Sequence, residues 1–249
     1  ELGSYDIKVM SSLAGVEKMM SETPLTILVN PYTGLVPYAF TDWYLIGAAV
    51  EGGWDNNADT KHQPMFRGGT NPSIYKFTGY FTQGNFKLIS EKGSWASQLG
   101  NAGNNLIEIK DNAGEFTISA SGYYTFTFNV ETLAYTLVPY NASAASVYSR
   151  IGFLGSSRTG SDVGWSGDDS EMTVSAFSPH VWTLSISLFD GKGKFRANNA
   201  WDTNWGGDTE FSGFTGNGAS GGDIPVAKSK YKIYFNDLDG SYLMLPNQE

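Results

Sequence analysis

Tryptophan, amide and cationic side chains are concentrated in FRANNAWDTNWGG, residues 195–207. Two other tryptophans, Trp54 and Trp165, follow glycine in the polar loops EGGWDNN and DVGWSGDD. An indole in such a loop cannot easily bury both faces, so its exposure indicates a binding role. The flat C–H face of a pyranose stacks on an indole, and its hydroxyls need partners such as Asn, Asp, Arg and Lys. These residue types therefore predict sugar binding.

The pattern W-x-x-[QN]-x-G occurs twice, as WASQLG from Trp95 and as WDTNWG from Trp201. A cation lies on the strand predicted just before each pattern, Lys87 in the first and Arg196 in the second. Two indoles held at an angle would follow the curve of a helical glucan. A hydrophobic plug that closes the end of a β-sandwich explains Trp95 and Trp201 equally well, so both interpretations stay open.

Side chains that could support catalysis are few. His62 and His180 lie at different places in the chain's two repeats, and no nucleophile-elbow, zinc-protease or phosphate-loop motif occurs. The acid pairs 168–169 and 237/239 could act as glycosidase carboxylates, but they lie in predicted turns, where Asp accepts backbone N–H bonds. We predict that the protein is not an enzyme and has no cofactor, with a glycoside hydrolase as the catalytic alternative.

Composition argues against several classes of function. The formal net charge of −9 repels phosphate backbones and argues against nucleic-acid binding. Cysteine is absent, which excludes disulfides and thiolate chemistry. The segment DNNAD, 55–59, begins like a calcium loop but lacks the later Gly and Glu, so we predict no metal site. Aromatic residues reach 14% and charged residues only 16%, which favours short strands and tight turns.

The sequence contains an internal repeat. YYTFTFNVETLAYTLVP, 123–139, matches KYKIYFNDLDGSYLMLP, 230–246, and each copy predicts a β-hairpin. Upstream, we align WYLIG with YSRIG (148–152), and FTQGNFK with FDGKGKFR, which pairs Lys87 with Arg196.

Short alternating strands separated by Gly, Asn and Asp predict an all-β chain of tandem β-sandwich domains, of the immunoglobulin-like or carbohydrate-binding-module type. We predict modules at 39–141 and 146–249, joined by a short linker. Residues 1–38 predict two strands, either the last hairpin of a preceding immunoglobulin-like domain or an extra hairpin. The one segment that suggests a helical turn is 14–20. For the second module, the alternation predicts strands near 149–154, 171–176, 181–189, 193–197, 224–227, 230–235 and 241–245.

The FRANNAWDTNWGG run, the GGDIPV segment, the IYFNDLDGSYLML hairpin and the tandem arrangement resemble the C-terminal carbohydrate-binding modules of SusE/SusF-type surface proteins. Those proteins are lipid-anchored, outer-membrane glycan-binding proteins of Bacteroidetes starch-utilisation systems. The resemblance covers about residues 39–246.

In that family an α-glucan contacts an arc of two aromatic residues together with a Lys or Arg and an Asn. Transferred to this sequence, the resemblance implies a first site at Trp54, Lys87, Trp95 and Asn112. It implies a second site at Trp165, Arg196, Trp201 and Trp205.

The implied sites differ in two respects. Asp223 and Ile224 align with the Asp-Asn pair that ends at Asn112, so the second site lacks the amide. Trp205 stands where the first repeat has Leu99, so either Trp205 or its neighbour Trp201 stacks on the ligand.

The resemblance implies a non-catalytic protein, exposed on the outer-membrane surface, that captures starch or a related α-1,4-glucan. It also implies cooperation with a TonB-dependent transporter system, and membrane contact only through a lipid anchor upstream of this chain. Two alternatives remain: binding of another glycan for a different polysaccharide-utilisation system, or a protein-interaction or adhesion role.

Overall fold

The structure is a computed structural model that describes residues 3–13, 17–29, 34–215 and 221–248. In these ranges regular structure consists of β-strands and two short 3-10 turns, Ser156–Arg158 and Asp162–Trp165. The all-β prediction is therefore confirmed. In the same ranges, no helix has the length and apolar character needed to span a membrane. The chain divides into two compact units, 1–35 and 36–249.

The first unit is a long, interrupted hairpin. Its strands are Gly3–Ile7 (β1), Met10–Leu13 (β2), Glu17–Met20 (β3) and Leu25–Val29 (β4). The outer strands β1 and β4 pair antiparallel, as do the inner strands β2 and β3. The helical turn suggested for 14–20 is wrong over residues 17–20, where the backbone pairs with β2, and residues 14–16 lie outside the described residues.

In the first repeat, two antiparallel sheets form a sandwich. Strand β8 has β5 on one side and both β9 and β11 on the other, and β12 lies between β7 and β13. The strands of this repeat are Tyr44–Gly47 (β5), Phe66–Arg67 (β6), Ile74–Phe81 (β7), Gly84–Ile89 (β8), Gln98–Gly103 (β9), Leu106–Ile109 (β10), Phe116–Ile118 (β11), Gly122–Asn129 (β12) and Tyr135–Pro139 (β13).

The second repeat has the same arrangement, with β14, β18, β19 and β21 in the places of β5, β8, β9 and β11. Both predicted hairpins are confirmed, as β12–β13 and β22–β23. The strands are Ile151–Leu154 (β14), Ser170–Glu171 (β15), Thr173–Val174 (β16), Val181–Leu188 (β17), Gly191–Ala197 (β18), Asn204–Trp205 (β19), Ser212–Phe214 (β20), Ile224–Val226 (β21), Ser229–Asn236 (β22) and Ser241–Leu245 (β23). The sequence prediction missed the short strands β19 and β20.

Polar contacts join the two repeats where the β22–β23 turn meets β7. Asn236 donates from Nδ2 to the carbonyl oxygen of Thr78 over 2.6 Å. The Thr78 hydroxyl donates to Asp239 Oδ2 over 2.8 Å, and the Lys76 ammonium lies 3.0 Å from the same oxygen. Asp239, one of the acids considered for catalysis, is therefore held in a contact between the repeats.

The repeats also share apolar core. Phe77, Phe126 and their neighbours form the core of the first sandwich, and Tyr234, Leu243 and Leu245 of the second repeat belong to the same buried cluster. Burial of apolar surface is the main favourable term in folding. Both repeats therefore lie in one compact unit, in which neither buries its apolar residues independently of the other.

Replacement of Leu243 by alanine should lower the free energy of unfolding by about 2–5 kcal/mol, because a fully buried side chain leaves a cavity. Hydrogen exchange measured by mass spectrometry should show reduced protection in β12 of the first repeat as well as in β22 of the second. The control, Leu106→Ala, removes a side chain that is 43% exposed and should cost less than about 1 kcal/mol. Loss of protection confined to the second repeat would contradict a shared core.

Candidate functional site

A glycine at the end of the first strand of each repeat directs the chain into the tryptophan loop. Gly47 has a φ of 143° and Gly155 a φ of 136°, which L side chains rarely adopt. A Cβ atom on Gly47 would lie 2.4 Å from the Asn85 carbonyl oxygen, so the close approach also requires glycine. Gly47 N–H donates to the Gly53 carbonyl, and Gly155 N–H to the Gly164 carbonyl. Each bond closes the loop one residue before the tryptophan.

In the first repeat, a buried lysine connects the sheet to the second tryptophan segment. Lys87 on β8 is 8% exposed and donates from Nζ to Gln98 Oε1 over 3.1 Å and to the Ala113 carbonyl over 2.6 Å. Gln98 in turn donates from Nε2 to the Trp95 carbonyl over 2.8 Å. These bonds satisfy the buried ammonium and fix the backbone that carries Trp95.

The second repeat builds the same connection from Lys194. Its Nζ donates to Asn204 Oδ1 over 3.3 Å and to the Gly221 carbonyl over 2.7 Å, and Asn204 Nδ2 donates to the Trp201 carbonyl over 3.0 Å. The amide of the W-x-x-[QN]-x-G pattern thus holds the tryptophan in both repeats. The amide is visible in the sequence pattern, but its partners are brought together only by the fold.

The strand register corrects our alignment of the repeats. Ile46 pairs with Lys87 on β8, and Leu154 pairs with Lys194 on β18. Lys194, and not Arg196, is therefore the counterpart of Lys87. WYLIG should have been aligned with the segment that ends at Gly155 rather than at Gly152. FDGKGKFR contains Gly-Lys twice, so the sequence alone allows more than one alignment with FTQGNFK.

Arg196 is an addition of the second repeat, at the position of the buried Ile89. Its Nε lies 2.8 Å from Asp169 Oδ1 and 3.0 Å from Oδ2, and its Nη2 donates to the Gly167 carbonyl. A Cβ atom on Gly152 would lie 2.3 Å from the Asp169 Cβ, so glycine leaves the space that the carboxylate needs. Asp169, considered for catalysis, is the buried partner of this arginine.

Trp165 and Trp201 form a tilted aromatic pair at the surface of the second repeat. Their ring centroids are 6.3 Å apart and their planes meet at 36°. Trp201 is 48% exposed, and Trp165 is partly exposed. The Arg196 guanidinium lies 4.9 Å from the centroid of the Trp201 ring, a cation–π contact that supports this indole from the protein side.

Other residues of the 195–207 segment pack in the core or turn the chain. Phe195 is fully buried, and Asn198 and Asn199 turn the chain with φ values of 57° and 55°. Trp205 is 1% exposed and packs against Tyr148 and Phe235. No ring face of Trp205 is accessible in this structure, which leaves Trp201 as the available stacking residue. Trp205 pairs with Phe195 in the core, whereas Trp201 lies in the turn that precedes β19.

The first repeat presents its tryptophans differently. Trp54 is 40% and Trp95 is 41% exposed, and the loops that carry them are joined by a bond from Gly93 N–H to Asn56 Oδ1. Among the described residues, no ring contact of the Trp165–Trp201 kind joins this pair. The two indoles therefore offer separate faces on adjoining loops.

Asn112 lies at the edge of this region. It is exposed and has a φ of 58°, which is common for Asn in a turn. Phe116 pairs with Phe86, and Ile224 pairs with Gly193, so Ile224 matches Phe116 and not Asn112. Our comparison of Asn112 with 223–224 is therefore wrong, and the position that matches Asn112 lies outside the described residues.

The other candidates for chemistry have structural partners. His180 Nδ1 is hydrogen-bonded to Asp237 Oδ1, and Trp182 Nε1 donates to Asp237 Oδ2 over 2.6 Å. Burial raises the pKa of Asp237, and its hydrogen bonds to His180 and Trp182 counteract part of that rise. Asp55 accepts the Asn57 N–H and the Thr60 hydroxyl, as in an Asx turn. In the described ranges, no group of three or more potential metal ligands is found.

Comparisons with known proteins give little further information. A scan against protein-family models finds no match, and a search of curated proteins finds none. Among solved structures, the chain is similar to the crystal structure of SusF from Bacteroides thetaiotaomicron, with 14% identity and a TM-score of 0.31. The alignment covers 100% of this chain and 58% of that chain. The chain thus spans little more than half of that protein, and a likeness at this level carries no argument about the ligand.

Asp169→Asn should lower the free energy of unfolding by about 3–5 kcal/mol, because it leaves the buried Arg196 without its counter-charge. Urea titration of the purified variant measures the change. The matched control is Asp168→Asn, which alters an exposed neighbour and should change stability by no more than about 0.5 kcal/mol. Equal stability of the two variants would show that the ion pair does not support the site.

Proposed function

We propose that the protein is a non-catalytic carbohydrate-binding protein that captures starch or a related α-1,4-glucan. The observation that carries the proposal is the exposed Trp165–Trp201 pair, tilted by 36°. Indole faces at an angle complement successive sugar rings of a curved glucan chain. Fixed loops keep the platform in place before the ligand arrives, which reduces the entropic cost of binding.

Polar groups around the platform suit the same ligand. Asp168 and Asn199 are hydrogen-bonded to each other over 3.0 Å at the exposed end of the loop, within the segments that carry the two tryptophans. Amide and carboxylate groups of this kind exchange hydrogen bonds with sugar hydroxyls. We propose Trp165 and Trp201 as the stacking residues of the second site, with Arg196 as support beneath Trp201.

The first repeat supplies a second, separate site in this proposal. Trp54 and Trp95 are its stacking residues, and the exposed Asn112 is its amide. Lys87 is committed to Gln98 and Ala113, so we propose that it positions the loop and does not contact the sugar. Two sites on one chain raise the avidity for a polymeric ligand above the affinity of either site.

We further propose that the protein acts at the outer-membrane surface, beside a TonB-dependent transporter, as the sequence resemblance implies. The exposed aromatic pair supports glycan capture, and the cellular setting rests on the resemblance alone. Cell-surface labelling with an antibody against the chain would test the location independently of the ligand.

Isothermal calorimetry with maltoheptaose should give binding in the millimolar to micromolar range, a typical strength for a few stacked rings. Native gels that contain amylopectin should retard the protein, and incubation with amylopectin should release no reducing sugar. Absence of both heat and retardation would contradict the α-glucan proposal, and a glycan array would then test other glycans. Release of reducing sugar would support the hydrolase alternative.

Trp165→Ala combined with Trp201→Ala should abolish binding at the second site, because both stacking faces are lost. The double variant should show weaker retardation by amylopectin, and the further changes Trp54→Ala and Trp95→Ala should remove the remainder. Val163→Ala is the matched control, since Val163 is an exposed apolar residue of the same loop without an aromatic face. Unchanged affinity in the fourfold variant would show that the site lies elsewhere.

A further inference from the structure

A cleft of about 320 Å³ lies between the two repeats of the 36–249 unit, and the proposed function does not use it. The first repeat contributes the segment 59–63 and Lys92 to its lining, and the second contributes 173–176, Lys232 and Tyr234. The cleft is therefore formed only when the two repeats pack together.

Three ammonium groups, from Lys61, Lys92 and Lys232, line this cleft in a chain whose net charge is −9. Burial lowers the pKa of Lys92, and the charge of Lys232 lowers it further. Burial also lowers the pKa of Lys232, and the charge of Lys61 lowers it further. Lys232 is therefore close enough to repel Lys92 and to be repelled by Lys61.

These cations have no carboxylate partner. Among the residues that the structure describes, no Asp or Glu oxygen lies within 4.0 Å of any of the three ammonium groups. Glu51 and Asp59 also line the cleft, but Glu51 accepts a hydrogen bond from Ser175 and Asp59 is exposed at the rim. Partly desolvated positive charge without a counter-charge is costly, and an anion that enters the cleft would relieve this cost.

Neutral donors complete the lining. Gln63 is buried, and its amide nitrogen and oxygen have no hydrogen-bond partner among the described residues. Burial raises the pKa of Tyr234 to about 12, so its hydroxyl stays protonated at neutral pH. Burial and the charge of Lys92 lower the pKa of His62, which keeps this ring neutral as well.

We propose that this cleft binds a compact oxyanion, that is a sulfate, phosphate or carboxylate group, between Lys92 of the first repeat and Lys232 of the second. The group could be a free inorganic ion or a charged substituent of a saccharide, because both present the same oxygens to the ammonium groups. Since the two lysines come from different repeats, the anion would also strengthen the contact between the repeats.

Thermal unfolding of the whole chain tests the site. At low millimolar concentrations, where the general stabilising effect of sulfate is small, sodium sulfate should raise the Tm more than sodium chloride does at equal ionic strength, because a ligand that binds only the folded state stabilises it. The additional rise should disappear in Lys92→Met combined with Lys232→Met, which keeps the aliphatic stems. Lys230→Met, an exposed position on the same strand as Lys232, should retain it. No sulfate-specific rise in the unaltered protein would overturn the proposal, as would a rise that persists in the double variant.

A second measurement uses the protein without substitutions and so does not depend on how the variants fold. After reductive ¹³C-methylation, sulfate should shift the NMR signals of Lys92 and Lys232 but not that of Lys230, and the reverse pattern would overturn the assignment. Glucuronate, with glucose as the neutral control, distinguishes the source of the anion. Shifts with glucuronate and sulfate together support the shared oxyanion chemistry, and stronger shifts with glucuronate identify an acidic saccharide. Equal shifts with glucose and glucuronate would contradict an anion site.

Discussion

The binding surface depends on the hydrogen bonds that a lysine of the sheet makes to the segment that carries the second tryptophan of each repeat. A buried ammonium must have hydrogen-bond acceptors, because its desolvation is otherwise too costly. Lys87 and Lys194 find the same two acceptors in their repeats, a side-chain amide and a backbone carbonyl. The amide then holds the tryptophan carbonyl, at Gln98 in the first repeat and Asn204 in the second. The position of each indole thus follows from satisfying a charge in the sheet below it.

The second repeat adds further contacts beneath its tryptophans. Arg196 replaces an aliphatic residue, and the absence of a side chain at Gly152 leaves room for Asp169 to pair with it. The guanidinium lies against Trp201, whose ring in turn contacts Trp165. In the first repeat the corresponding indoles remain on adjoining loops. Duplicated sandwiches have therefore produced two surfaces of different geometry, one with joined and one with separate aromatic faces.

The shared core holds the two tryptophan surfaces at a fixed separation. Tyr234 and Leu243 of the second repeat pack in the core of the first, and Asn236 and Asp239 form polar contacts with β7. A linker between independent modules would let the sites move relative to each other. A common core holds them at one separation, and it also forms the lysine-lined cleft, which neither repeat contains alone.

The sequence by itself determined the all-β class, the repeat, both hairpins and the exposure of Trp54 and Trp165, because alternation and turn residues are local signals. The sequence alignment paired Lys87 with Arg196, which is wrong, since two Gly-Lys steps allow two alignments and only strand pairing selects the register. Only the tertiary structure placed Trp205 in the core and Trp201 at the surface, although both occur in one short polar segment. The cleft also required the folded chain, because its lysines are distant in sequence and meet only when the repeats bury their common apolar surface.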